Sequence, residues 1–329
     1  MSGARVSVVV PILNEENVLP ELLRRLRSVL EGLPGVGHEI VIVDDGSTDR
    51  TPEILRQESE GDERIIGIVL SRNFGHQAAL TAGLAHTSGD VVICMDGDLQ
   101  DPPESIPLFL EKYQQGYDVV YARRVQRKEA WWLRACYHVF YRLITALSGI
   151  QLPLDAGDFG LMSRRVVEQM REMPEYHRYL RGMRTWVGFK QTGLPIERAE
   201  RHAGESKYST LKLLKLASDG IFSFSTVPLR FAAIVGAVAM MLSVAYSLFA
   251  LYAKVAFHRS PQGFTALIVA ITFLAGVQLF FAGVIGEYVG RLYEASKGRP
   301  VFIVAKKFGK AAQRGKAASV MSAASGASR

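Results

Sequence analysis

Apolar, β-branched runs recur through the first part of the chain: Val6 to Leu13, Glu39 to Val43, Ile65 to Leu70, Val91 to Met95 and Asp118 to Tyr121. Between them lie stretches with the apolar spacing of helices: Val18 to Leu30, Pro52 to Glu58, Gln77 to His86 and Glu104 to Gln115. Strands that are apolar on both faces, alternating with helices, predict βαβ units and a mostly parallel, doubly wound α/β sheet. Local punctuation agrees. Thr51 before Pro52 reads as an N-cap with proline at the first helical position, and Pro102-Pro103-Glu104 reads as a second helix start. The chain shows no internal repeat.

The pattern changes near Leu229. Phe231 to Ala253 and Phe264 to Gly286 contain no charged residue. At about 1.5 Å per helical residue, each is long enough to cross a hydrocarbon core of about 30 Å. They predict a transmembrane hairpin. Lys212, Lys215 and Arg230 precede it, Arg291, Lys297 and Arg299 follow it, and Lys254 and Arg259 sit in the loop. The balance of these charges places the catalytic part and the C-terminus on the cytoplasmic side of a multi-pass inner-membrane protein. Leu211, Leu213, Leu214, Leu216, Ile221 and Phe222, mixed with Lys212, Lys215 and Asp219, read as an interfacial amphipathic helix. Trp131, Trp132, Tyr137, Phe140 and Tyr141, with Arg134 and Arg142, form a second candidate. The expected organisation is a catalytic domain over 1–207, a juxtamembrane helix over 208–229, the hairpin over 230–291, and a basic, partly disordered tail over 292–329.

Charge refines this picture. The net charge is +7, and the segment from Ala305 onward holds Lys306, Lys307, Lys310, Arg314, Lys316 and Arg329 with no acid. After two apolar spans, anionic lipid is a simpler partner for it than nucleic acid. Two cysteines, Cys94 and Cys136, suggest neither a disulfide framework nor a zinc site. Met1 to Arg5 runs into the first strand without an apolar leader core, so no signal peptide is expected.

Candidate chemistry collects where the strands end: Asn14-Glu15, Asp44-Asp45-Gly46-Ser47, Arg72-Asn73 and Asp96-Gly97-Asp98. Open α/β sheets bind ligands at that edge. Clustered carboxylates repel unless a cation or a donor-rich ligand sits among them. Asp96, Asp98 and the amide of Gln100 make a hard oxygen set suited to Mg2+ or Mn2+, with positions left for phosphate oxygens.

Together these segments resemble family 2 glycosyltransferases of the GT-A fold: Val8-Val9-Val10-Pro11-Ile12-Leu13-Asn14-Glu15, Val43-Asp44-Asp45-Gly46-Ser47-Thr48-Asp49, Ser71-Arg72-Asn73-Phe74-Gly75 and Asp96-Gly97-Asp98-Leu99-Gln100. Gly157-Asp158-Phe159-Gly160-Leu161-Met162-Ser163-Arg164, and Arg201 with Gly204, Ser206 and Lys207, resemble the narrower polyprenyl-phosphate group. That group includes dolichyl-phosphate mannose synthase and the bactoprenol glucosyltransferases. Gly286-Glu287-Tyr288-Val289-Gly290-Arg291 and the hairpin are most similar to the bactoprenol branch.

The resemblance implies roles. Asp96, Asp98 and Gln100 hold the metal. Pro11, Asn14, Glu15, Asp44 and Asp45 line the nucleoside pocket, with help from Arg72. Arg201 and Lys207 meet the donor phosphates. Arg123, with Arg134 or Arg142, holds the lipid phosphate, and Asp158 sits beside the anomeric carbon. It implies inverting transfer of a hexose, first glucose from UDP-glucose, to undecaprenyl phosphate. Aminoarabinose derivatives, N-acetylhexosamine and mannose from GDP-mannose remain open, and a homo-oligomer, a tetramer among relatives, is expected. A phosphate monoester is already largely ionised at neutral pH, so the acceptor needs no strong base.

Other classes fit less well. A processive synthase calls for Gln-x-x-Arg-Trp, and the nearest stretch, Arg181 to Trp186, does not match. An oxidoreductase calls for Gly-x-Gly-x-x-Gly after the first strand, which is absent. A non-catalytic sugar-nucleotide-binding scaffold has no need of intact Asp96, Asp98, Arg201 and Lys207.

Overall fold

The computed structural model describes residues 5–124, 156–197, 227–257 and 263–309. They form two compact units, a sheet domain and a pair of long helices.

In the sheet domain the strands are β1 (Arg5–Ile12), β2 (Gly37–Asp44), β3 (Ile65–Leu70), β4 (Val91–Cys94), β5 (Val119–Arg124), β6 (Ala156–Ser163), β7 (Gln191–Ile196) and β8 (Val304–Phe308). They make one sheet in the order β7-β5-β6-β4-β1-β2-β3-β8. β1 pairs in parallel with β2 and β4, β2 with β3, and β5 with β7. β6 is antiparallel to both β4 and β5, and β8 is antiparallel to β3. Only β6 and β8 therefore run against the common direction. The sheet is mixed, with its parallel centre where the apolar runs placed it.

Helices cover both faces. α1 (Leu19–Glu31), α2 (Thr51–Gly61) and α4 (Ile106–Gln114, after a 3-10 turn at Pro103–Ser105) lie on one side. Leu19, Leu22, Leu23, Leu26 and Leu30 of α1 recur at helical spacing, and all are buried against Val6, Val8, Val10 and Ile12 of β1. Each such leucine contributes about 2 kcal/mol of transfer free energy, an upper estimate. α3 (His76–Ala85) packs on β1 and β2 from the other side and is joined there by α5 (Arg164–Glu172). α6 (Leu180–Trp186) packs on β6 and α5.

Two expectations change. Thr51 opens α2, but its hydroxyl accepts the Glu15 amide at 3.0 Å, and it is Asp49 Oδ1 that accepts the Thr51 amide. The threonine thus joins two loops instead of capping its own helix. Five residues assigned from sequence to the basic tail form β8: Phe308 packs against the core, and Ser71 N donates to Ile303 O at 2.9 Å. A basic composition does not prevent Val304 and Phe308 from supplying an apolar side to an edge strand.

The second unit is α7 (Val227–Phe257) and α8 (Phe264–Ser296), both longer than the uncharged spans inside them. Val227–Phe249 and Leu267–Ser296 have mean hydropathies of 2.1 and 2.4, with none of their apolar windows buried by protein. The helices meet with Phe231 and Phe281 ring centroids 6.4 Å apart. Met240, Leu242, Phe249, Phe273, Leu279 and Phe280 are all more than half exposed. A continuous apolar surface of this length is stable only when covered by lipid or protein. Both amphipathic segments read from the sequence, and the tail beyond Gly309, lie outside the described residues.

Candidate active site

Because six strands share a direction, β1, β2, β3, β4, β5 and β7 end at one edge, and the reversed β6 begins there. The opposite edge is closed by structure. Buried Glu39 accepts bonds from Ser7 Oγ at 2.6 Å, Ser88 N at 2.5 Å, Ser88 Oγ at 2.8 Å and Arg5 Nη2 at 2.8 Å. Burial opposes its charge, but these donors outweigh it and hold its pKa low.

At the ligand edge, the loops after β1 and β2 are laced together. Asn14, in the left-handed region at φ 55°, donates its amide to Ser47 Oγ at 2.8 Å and accepts Thr48 N on Oδ1 at 2.9 Å. Asp44 Oδ1 accepts both the amide and the hydroxyl of Ser47. Its Oδ2 is buried without a hydrogen-bond partner, and burial raises the Asp44 pKa. A buried acceptor with no donor is costly, so Asp44 is suited to an N–H brought by a ligand. Asp45 differs: its two oxygens accept Phe74 N at 2.8 Å and Gly75 N at 2.9 Å, fixing the loop before α3. Arg72 is exposed and lies over the Phe74 ring, 4.2 Å from its centroid. Pro11 is a buried β1 residue, and Glu15 donates its amide to Thr51.

The acidic turn follows β4. Gly97 is needed there, because a Cβ would lie 2.7 Å from Ile12 Cγ2 and 3.0 Å from Pro11 O. Asp98 Oδ1 accepts Gln100 N at 3.1 Å, and Leu99 takes φ 58°. Asp96, Asp98 and Gln100 thus share one tight turn and are all partly exposed. Among the described residues no group of three or more His, Cys, Asp or Glu side chains forms a metal cage. Two carboxylates and an amide make an open, hard oxygen set, which fits Mg2+ or Mn2+ completed by water and phosphate oxygens.

Asp158 reaches the same place from β6. His76, the first residue of α3, puts Nε2 3.6 Å from Asp96 Oδ1 and 3.5 Å from Asp158 Oδ2. Arg181 of α6 meets both Asp158 oxygens, Nε to Oδ1 and Nη2 to Oδ2, each at 2.8 Å. Burial would raise the Asp158 pKa, but Arg181 and His76 hold it well below the carboxylate range. Burial opposes protonation of His76, yet Asp158 and Asp96 raise its pKa. Behind them, Arg184 is 5% exposed, its Nε has no partner, and its pKa is lowered by burial. Cys94 lies beneath the acids with its thiol pushed up to about 12 by burial.

The edge therefore collects Pro11, Asn14, Glu15, Asp44, Asp45, Arg72, Asp96, Asp98, Gln100 and Asp158. Arg123 is exposed near the end of β5 at this edge. Arg134, Arg142, Arg201 and Lys207 lie outside the described residues. Sequence reasoning passed over His76, Arg181 and Arg184. Their signals were present: a histidine opening a helix straight after a strand-end loop, and two arginines three apart on one helical turn.

A mixed α/β sheet whose ligand edge carries an acidic turn, in one chain with an apolar helix pair, defines a class of membrane-associated enzyme. Residues 7–171 match the pattern described as glycosyl transferase family 2, and residues 227–292 match the GtrB C-terminal hairpin. The chain belongs to glycosyltransferase family 2. It is 43% identical over 304 residues to the uncharacterised glycosyltransferase YkcC of Bacillus subtilis, covering 92% of this chain and 94% of that one. It is 41% identical over 305 residues to the uncharacterised glycosyltransferase sll0501 of Synechocystis, covering 92% and 96%. It is 41% identical over 308 residues to the bactoprenol glucosyl transferase of Shigella phage SfV, covering 91% and 98%.

Proposed function

We propose that this glycosyltransferase moves glucose from UDP-glucose to a polyprenyl phosphate at the cytoplasmic face of a membrane, inverting the anomeric carbon. The observation that carries the reading is the meeting of Asp96 and Asp158 around His76 at the strand-end edge. It brings the Asp96 to Gln100 turn, which would hold the cation, close to a fixed anion. The relatives named as bactoprenol glucosyl transferases and the matched hairpin support the sugar and the lipid acceptor.

Asp96, Asp98 and Gln100 would hold Mg2+ or Mn2+, which would neutralise charge on the departing diphosphate. The open oxygen of Asp44 accepts an N–H of the base, with Pro11, Asn14 and Glu15 along the nucleoside and Asp45 and Arg72 shaping its border. Arg201 and Lys207, by the resemblance, would meet the donor phosphates. β5 ends here, which suits Arg123 to the acceptor phosphate; Arg134 and Arg142 would join it by the resemblance, since a guanidinium matches a phosphate bidentately. The acceptor phosphate is ionised at neutral pH and attacks without a base. Asp158, held as an anion, stabilises positive charge developing on the sugar.

The test is transfer of labelled sugar from a panel of nucleotide sugars to a short polyprenyl phosphate by the full chain in lipid. UDP-glucose should label the lipid phase in a Mg2+- or Mn2+-dependent way, and Asp98→Ala should abolish it. Labelling only by another donor would replace the glucose assignment. Equal, metal-independent labelling by wild type and Asp98→Ala would overturn the mechanism.

A further inference from the structure

We propose that Arg181 is a positioning residue of the transfer reaction, acting through Asp158 by fixing that carboxylate in place and in plane at the reacting centre. The inference rests on the transferase reading above.

The backbone at Asp158 has weak support of its own. β4 ends at Cys94, level with Gly160, so no β4 ladder reaches Asp158. On the other side, the pairing of β5 with β6 shifts register between Tyr121 and Arg123, opposite the segment containing Asp158. A bulge of this kind re-aims a side chain but leaves it without regular ladder bonds. The side chain is anchored instead. Arg181 gives two parallel bonds of 2.8 Å, one to each oxygen. A planar fork on a planar carboxylate fixes orientation as well as distance, which a lysine cannot do.

The anchor is itself tied down. Leu180, the residue before Arg181, donates its amide to Gln77 Oε1 at 2.8 Å, across 103 residues of sequence. Gln77 follows His76 on α3, and His76 places Nε2 3.5 Å from Asp158 Oδ2. The far end of α3 is fastened by α5, whose Arg171 Nε donates to Leu84 O at 2.8 Å, and the loop after α3 is held by Arg164 Nε, which donates to Gly89 O at 2.7 Å. A guanidinium on a last-turn carbonyl, as at Leu84, suits the negative end of the helix dipole. α3 and α6 therefore hold Asp158 from two directions, and Arg181 makes the direct contact. The carboxylate is 8% exposed and Arg181 26%, so the pair sits at the rim of the interior, with the acid on the inner side.

A double-mutant cycle on the full chain in lipid tests this, with transfer from UDP-glucose as the rate. Arg181→Ala should lower kcat roughly 100-fold, the loss expected when a reacting group is misplaced by about 1 Å. KM for donor and for acceptor should each stay within about threefold, and added guanidinium ion should restore about tenfold. Asp158→Asn should lower kcat at least as much, and the double variant should be no slower than Asp158→Asn within about twofold, because the two act as one unit. Losses that multiply would overturn the inference, since Arg181 would then act independently of Asp158. A large rise in acceptor KM with kcat kept would also overturn it and make Arg181 a phosphate contact. Should Arg181→Ala not fold, Arg181→Lys carries the same cycle. Wild-type protein that transfers no sugar from any nucleotide donor would instead defeat the transferase reading.

Discussion

Cys94 on β4 and Gly160 on β6 are register partners across an antiparallel pair. Asp96 stands two residues after Cys94 and Asp158 two residues before Gly160, so this antiparallel register brings acids 62 positions apart in the sequence to the same level of the sheet edge. Gly160 is what lets β6 come close. A Cβ there would lie 2.5 Å from Val120 O and 3.0 Å from Tyr121 Cα. Gly160→Ala should therefore push β6 away from β5, costing about 2 kcal/mol of stability and lowering transfer more than the lost stability explains. Thermal melting and kcat on the same preparation check both parts.

The His76–Asp158 contact carries a signed pH dependence. The fold favours charged His76, so its contribution is complete below its unfolded pKa of about 6.5 and is lost as pH rises through the raised folded value. The fold favours charged Asp158, so its contribution is complete above about pH 4 and is lost as pH falls through the depressed folded value. With chelator present, the Tm gap between wild type and His76→Gln should be widest between about pH 4 and 6.5 and should narrow toward pH 9. A gap that widens with rising pH would contradict the assignment.

Removal of divalent cations should stop transfer and weaken UDP binding, and Mg2+ or Mn2+ should restore both. In Asp98→Ala the metal-dependent part of UDP affinity should vanish while the metal-free part survives, because Asp44 and Asn14 lie on other loops. Calorimetric titration with UDP, with and without metal, measures the difference. Equal metal enhancement in the variant would remove Asp98 from the cation site.

The edge strand β8 should matter to the sheet domain. Phe308 is partly buried against the core, and its Cδ2 would lie 3.1 Å from a Cβ placed at Gly67. Phe308→Ala should cost about 2 kcal/mol, less than the loss at a fully buried phenylalanine, and should speed hydrogen exchange in β3. Unchanged exchange at Ile65–Leu70 would mean that β8 does not hold that edge.

Cys94 should be chemically silent. It is 3% exposed, and burial pushes its thiol up to about 12. In a Cys136→Ser background, a thiol reagent at pH 8 should leave native protein unmodified and label it on unfolding. Rapid native labelling would place solvent beneath Asp96 and Asp158.

Much of this protein was legible in one dimension. β1 to β4 and α1 to α4 announce themselves because continuous apolar runs and helical leucine spacing are local properties, as in Leu19 to Leu30. Both membrane-length helices are visible for the same reason: absence of charge over a span needs no partner to interpret. The acids after β4 and the Asp44 turn stood out because turn chemistry is written in neighbouring residues. β8 was hidden because an edge strand needs only one apolar side, and its lysines dominate the composition.

Tertiary structure alone decided the rest. That β6 runs backward, that Asp158 comes level with Asp96, and that Arg181 and His76 are its partners all follow from strand order and register. These long-range pairings are set by which surfaces bury one another in the whole chain. No short window of sequence contains both members of such a pair, so the sequence could name the chemical groups but not the contacts that orient them.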